Sequence, residues 1–182
     1  KPWTIYGQVS NTGTKSTSEW RERFGFIHNQ LRNRDDILSI DYITGSFDKT
    51  NALVASYDMP VAASQFLRLK IYGSYSDYTA TDVGFANEVF TGTSYTAGAE
   101  LDWNVFQRKM LFVDVFGGAR FERFEVNNQA VNLQGESDFL LPYMGARLER
   151  STMKASTSAD VRIEKNVGSL VGTKSANELN SL

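Results

Sequence analysis

Leu67-Arg68-Leu69-Lys70-Ile71-Tyr72-Gly73-Ser74-Tyr75-Ser76 decides how the rest of the chain is read. Leu67, Leu69, Ile71 and Tyr75 fall on one parity; Arg68, Lys70, Ser74 and Ser76 fall on the other. Side chains alternate across a strand, so the stretch predicts a β-strand with one oily face and one wet face. A helix of the same composition would place its apolar residues three and four apart, and that spacing is hard to find here.

The pattern recurs downstream. Ala97, Ala99, Leu101, Trp103 and Val105 alternate with Glu100, Asp102 and Asn104. Leu111, Val113, Val115, Ala119 and Phe121 alternate with Asp114, Arg120 and Glu122. Leu140, Met144, Ala146 and Leu148 oppose Arg147 and Glu149, and Ala155, Thr157, Ala159, Val161 and Ile163 oppose Ser156, Ser158, Asp160, Arg162 and Glu164. Earlier segments alternate less cleanly: Trp3 to Ser10, Trp20 to Phe26 (with Glu22 on the oily side), Leu38 to Tyr42 and Leu53 to Asp58. About nine strands result, most near the roughly 9–11 residues that a tilted membrane strand needs.

The expected fold is all-β: part of an antiparallel up-and-down transmembrane β-barrel. Leu67, Leu69, Ile71, Leu101, Trp103, Val113, Val115, Val161 and Ile163 are expected to face lipid. Arg68, Lys70, Glu100, Asp102, Asp114, Arg120, Glu122, Arg147, Glu149, Asp160, Arg162 and Glu164 are expected to line a wet lumen, where opposite charges on neighbouring strands pair. Left unpaired in a dry interior, such charges would cost several kcal/mol each. The competing reading is a soluble sheet with one solvated face, which alternates in the same way.

The connections sort by parity. Asn29 to Asp35, Met59 to Gln65, Phe106 to Lys109 and Ser151 to Lys154 are short; Thr79 to Phe90 and Asn127 to Asp138 are longer and polar, with Asn11 to Glu19 intermediate. Outer-membrane barrels have short periplasmic turns and long extracellular loops. Ser46 to Asn51 is short on the long-loop side and departs from the rule.

Composition agrees without deciding. The 182 residues carry 41% hydrophobic and 13% aromatic side chains, net charge −2 and no cysteine, with mean hydropathy −0.34. Barrel strands average near neutral because only every second residue meets lipid. Disulfide scaffolds, thiol catalysis and cysteine-bound zinc are excluded, and no basic footprint for nucleic acid is present. No apolar run approaches the roughly 20 residues of a membrane helix. His28 is the lone histidine, beside a turn, and is expected at a surface or interface; no catalytic constellation, cofactor site or metal site is read. Glu100 and Asp102 share a face and could do acid–base work, but a ladder with Arg120 and Arg147 accounts for them. Gly117-Gly118 marks a bend or a close backbone approach within a strand.

Both ends of the sequence read as cuts in a longer chain: Lys1 to Tyr6 resembles strand interior with no signal peptide, and the carboxyl end is no closing strand. One barrel domain is expected over 1–182, with strands in 1–165 and an extracellular loop in 166–182.

Particular stretches resemble a family. Val9-Ser10-Asn11-Thr12-Gly13-Thr14, Arg21-Glu22-Arg23-Phe24-Gly25, the Asn29 to Asp36 turn, Ile37-Leu38-Ser39-Ile40, Ser56-Tyr57-Asp58-Met59-Pro60-Val61 and Phe90-Thr91-Gly92-Thr93-Ser94-Tyr95 occur in the order expected of two-partner secretion transporters of the haemolysin-activator (TpsB) type. The resemblance implies an outer-membrane barrel of about 16 strands, preceded by periplasmic domains. It implies a monomeric pore, in contact with membrane lipid, that passes an unfolded secreted exoprotein. A barrel-assembly insertase, a lipocalin-like soluble binder and an outer-membrane hydrolase are the rival expectations.

Overall fold

Among the described residues nine strands follow one another and pair in chain order in a single antiparallel sheet. The computed structural model describes residues 2–61, 64, 66–83, 88–128, 133–152 and 155–167. The strands are β1 Trp3–Ser10, β2 Arg21–Asn29, β3 Ile37–Gly45, β4 Thr50–Pro60, β5 Leu67–Val83, β6 Glu88–Arg108, β7 Leu111–Asn128, β8 Leu133–Ser151 and β9 Ser156–Glu164. Among the described residues the sheet is open: β1 and β9 each pair on one side only.

The register turns parity into two continuous faces. Leu69 stands opposite Met59 and Leu101, Leu101 opposite Gly117, Gly117 opposite Met144, and Met144 opposite Ile163. One row over, Lys70 stands opposite Asp58 and Glu100, Glu100 opposite Gly118, Gly118 opposite Tyr143, and Tyr143 opposite Glu164. A bulge between Asn104 and Phe106 puts Phe106, not Val105, in the row that continues the apolar face opposite Val113.

The strands are of two heights. β1 to β4 run 8 to 11 residues, whereas β5 to β8 run 17 to 21. The stretches expected as long loops are therefore largely strand. Thr79 to Val83 belongs to β5 and Glu88 to Phe90 to β6; Asn127 and Asn128 belong to β7, and Leu133 to Asp138 to β8. Beyond the apolar band the apolar residues change parity, which looks like the end of a strand although the backbone pairing continues. Of the expected external loop 166–182, Asn166 and Val167 are described, and Val167 N–H still donates to Leu140 O (2.9 Å); the rest lies outside the described residues.

The packing is inverted relative to a water-soluble sheet. Among the described residues the buried hydrophobic side chains are Phe116 and Tyr143, and both lie on the charged face. The apolar face is bare: Ile163 is 70% exposed, Val161 66% and Met144 66%. No second sheet or helix covers it among the described residues.

Candidate functional site: the charged face of the sheet

Each of the twelve charged residues singled out above lies on this face by register, and each of the nine apolar ones lies on the other. The twelve comprise five cations and seven carboxylates, so this wall is mildly acidic.

They join into chains that cross the strands. Arg120 reaches Glu122 (2.7 Å) and Glu164 (2.9 Å), and Glu164 is shared with Arg162 (2.6 Å). The Arg162 guanidinium lies over the Tyr143 ring at 3.8 Å, a cation–π contact. The Tyr143 hydroxyl donates to Glu100 (2.9 Å) and lies 3.2 Å from the Tyr72 hydroxyl. Cation, ring and carboxylate thus form one network from β5 to β9.

Nearer the short turns, Arg147 stands between Asp102 (3.6 Å) and Asp160 (3.4 Å) and above the Phe116 ring at 5.3 Å. Asn104 donates to Asp114 (2.6 Å), and Arg68 binds Asp58 (2.7 Å). Glu149 is exposed, opposite Phe112 and Ser158. Asp58, Phe66, Arg68, Lys70, Asn104 and Asp114 border a hollow of about 320 Å³. Its lining is polar and mixed in sign, suited to water and weak transient contacts.

Sequence reading missed the aromatic side of this face. Several rings cover cross-strand glycines: Tyr72 over Gly98, Phe116 over Gly145 and Tyr6 over Gly25, where an added Cβ would lie 2.1–2.6 Å from the ring. A glycine opposite an aromatic on the wet parity was the available signal. Tyr6 also donates to Asp41, which binds Arg23 (2.8 Å), so the first strands carry a smaller version of the same network.

The turn between β2 and β3 is built. Asp36 is 1% exposed, and its carboxylate accepts the Arg32 (3.1 Å) and Arg34 (3.4 Å) backbone N–H groups and the Tyr57 hydroxyl (2.6 Å). Burial pushes this carboxyl up, but the Tyr57 and backbone donors outweigh it and hold it below the usual carboxylate range. Arg68 ties the turn to β5 through Asp35, donating to its carbonyl at 2.9 Å.

His28 lies opposite Trp3 on the apolar face, beside Phe26 (6.2 Å between rings), with Nδ1 buried and without a hydrogen-bond partner. No group of three or more metal-ligating side chains gathers among the described residues.

An open, consecutively paired antiparallel sheet with a bare apolar band and a densely ion-paired opposite face is the wall of a β-barrel. Residues 1–135 match the family model for haemolysin secretion/activation proteins ShlB/FhaC/HecB, and the chain belongs to that family. Its fold is similar to that of CdiB from Escherichia coli (TM-score 0.82, 17% identity, 96% of this chain and 33% of that one). CdiB from Acinetobacter baumannii is also similar (TM-score 0.71, 13% identity, 92% of this chain and 32% of that one). The chain thus spans about a third of the length of the structures it matches. A comparison with curated proteins finds no match.

Proposed function

We propose that this chain is one side of an outer-membrane pore that passes an unfolded exoprotein to the cell surface by two-partner secretion. The Leu67, Leu69, Ile71, Leu101, Trp103, Val113, Val115, Val161 and Ile163 face meets lipid, and the Arg68 to Glu164 charged face lines the aqueous lumen. The observation that carries the reading is the inverted packing: Leu101, Trp103, Met144, Val161 and Ile163 are exposed while the charged face is internally paired. In water such a patch would exceed by far the few hundred Å² a soluble monomer exposes; in hydrocarbon it is the solvated surface.

The work is transport, not bond-making. An extended peptide offers unpaired N–H and C=O groups along its length. A wall of tyrosine hydroxyls, guanidinium groups and carboxylates already paired with one another exchanges hydrogen bonds with that peptide through water without gripping it. Strands β1 to β9 form one part of the wall of a larger monomeric barrel in a Gram-negative-type outer membrane. The exported chain is its macromolecular partner.

Single cysteines test the orientation, because the chain has none of its own. In the full-length protein in outer-membrane vesicles, a charged maleimide should label Lys70→Cys, Asp102→Cys and Asp114→Cys and spare Leu69→Cys, Leu101→Cys and Val113→Cys. Equal labelling of both sets would sink the reading.

A further inference from the structure

β5 outlasts its neighbour. β4 begins at Thr50, opposite Tyr78, yet β5 continues to Val83. A strand edge left bare is a template for another chain, and here it is covered in two steps. Thr79 N–H donates to Lys49 O in the β3–β4 turn (2.7 Å), and Thr81 N–H donates to Ser16 O (3.0 Å). Ser16 belongs to the connection between β1 and β2, so that connection crosses above β3 and β4 to take the place of a strand partner on β5.

The crossing segment is built for that reach. Thr17 N–H closes a turn on Thr14 O (3.2 Å), with Ser16 at its tip, and Gly13 N–H closes the base on Glu19 O (2.9 Å). The Arg21 guanidinium props it from below, donating to Thr17 Oγ1 (2.8 Å), Ser18 O (3.0 Å) and Trp20 O (3.2 Å). Gly45 leaves that arginine room: a Cβ there would sit 2.3 Å from Arg21 Nη1. Ser18 Oγ meets Ser46 Oγ at 2.7 Å, Ser46 N–H donates to Glu22 (3.0 Å), and Lys49 Nζ donates to Thr81 Oγ1 (3.0 Å).

The bonds that hold it are polar throughout. No residue from Asn11 to Trp20 is buried, and Trp20 is exposed. Strain gathers at the joint: Ser18 has φ 101° and Ser46 φ 56°, where side-chain-bearing residues are uncommon. A strained backbone held by polar contacts, with no residue of the segment itself buried, can open locally without unfolding the sheet.

We infer that the Thr14–Ser18 tip is a latch on β5: shut at rest, it fixes the projecting β5–β6 hairpin, and it releases that hairpin when a chain passes. The inference rests on the exporter reading and adds its regulation. Release also frees the β5 edge at Thr81, where an extended peptide can add as a strand.

Ser16→Cys/Thr81→Cys in the full-length protein tests it. Mild oxidation should join the two thiols. Secretion of the cognate exoprotein should then fall several-fold and recover with reductant, while each single-cysteine variant secretes as wild type does. If the disulfide forms and secretion is unchanged, the latch does not open and the inference fails, though wild-type export still supports the exporter reading. If both thiols stay free, Ser16 does not sit on β5 and the inference fails on geometry. If wild-type protein exports nothing, the exporter reading falls. Single-channel conductance in planar bilayers then decides the latch alone: gating that oxidation freezes and reductant restores upholds it, and gating indifferent to both overturns it.

Discussion

The lower and upper halves of β5 to β8 are one sheet with pairing unbroken between them, yet their faces carry opposite polarity. Below the level of Tyr75, Tyr95 and Leu140, the parity that carries Leu69, Leu101, Val115 and Met144 is apolar, and the opposite parity carries the charges. Above it the same first parity carries Asp77, Thr93, Arg123, Glu125, Glu136 and Asp138, while Tyr78, Phe124, Val126 and Phe139 occupy the second. Arg123 binds Asp138 (2.8 Å) and Glu136 (2.9 Å) on the face that lower down is bare hydrocarbon. Backbone pairing is indifferent to the change. On the proposed orientation solvent is what differs, lipid below and water above, with the Tyr75 and Tyr95 rings on the boundary, 5.0 Å between centroids and tilted by 48°. β1 to β4 end near that boundary and show no such upper half.

The largest expected effect contrasts the two levels on one strand. Leu101→Arg puts a cation on the apolar face at band level, and Thr93→Arg puts one on the same parity of β6 above it, opposite Asp77 and Glu125. The first should cost about 2–4 kcal/mol, read as a lower urea midpoint of the full-length barrel in bilayers and loss of its heat-modifiable gel mobility. The second should leave both within error. Equal costs would mean that the polarity switch does not mark the edge of the lipid.

A smaller effect contrasts the two faces at adjacent residues. A Cβ on Gly118 would lie 2.2 Å from Ala99 O, whereas one on Gly117 finds its nearest atom at 3.6 Å. Gly118 is the close approach that the glycine pair suggested. Gly118→Ala should destabilise the barrel by about 1–3 kcal/mol and Gly117→Ala by much less, both read from urea unfolding. Comparable losses would place the crowding elsewhere.

The same polarity switch explains how much the sequence discloses. Nine strands, their order and the two faces are legible because Leu67 to Ser76 and its later echoes keep strict parity. The upper parts of β5 to β8 are not, because Phe124 and Val126 carry on an alternation whose phase has slipped by one residue from Phe121. With no bulge to announce it, that slip looks like the end of a strand. In the charged site the shared face of the ionic groups follows from parity but their partners only in part: Arg147 meets Asp102 and its register partner Asp160, whereas Arg120 binds Glu122 and Glu164 rather than the expected Glu100 or Asp102. Tyr72, Phe116 and Tyr143 do not follow from parity, since an aromatic on the wet parity contradicts the simple pattern until the glycines beneath it, Gly98, Gly145 and Gly118, are paired with it.

The network itself offers a further contrast. Tyr143→Phe keeps the ring under Arg162 and removes the hydroxyl that serves Glu100. It should cost about 1 kcal/mol and leave cation–π packing intact, whereas Tyr143→Ala should lose both and uncover Gly118. Identical urea midpoints for the two variants would show that the ring contributes nothing beyond its hydroxyl.

The smallest effect concerns the joint between short and tall strands, where the β2–β3 turn is clamped to Tyr57 of β4 and Arg68 of β5. Asp36 is held below the usual carboxylate range when folded. A carboxyl depressed on folding binds fewer protons in the native state, so its contribution is complete above the unfolded value of about 4. It is lost as pH falls through the lower folded value. The turn should therefore keep its protection at neutral pH and shed it below pH ~4, before the sheet opens. Amide exchange of Arg32 and Arg34, corrected for intrinsic rates, reads this directly, because both N–H groups end on Asp36. Asp36→Asn removes the titration, so its protection should be lower at neutral pH and flat with acid. A wild-type profile equally flat would mean that the backbone, held by the Gln30 N–H to Asp36 O bond (2.6 Å), fixes the turn without the charge.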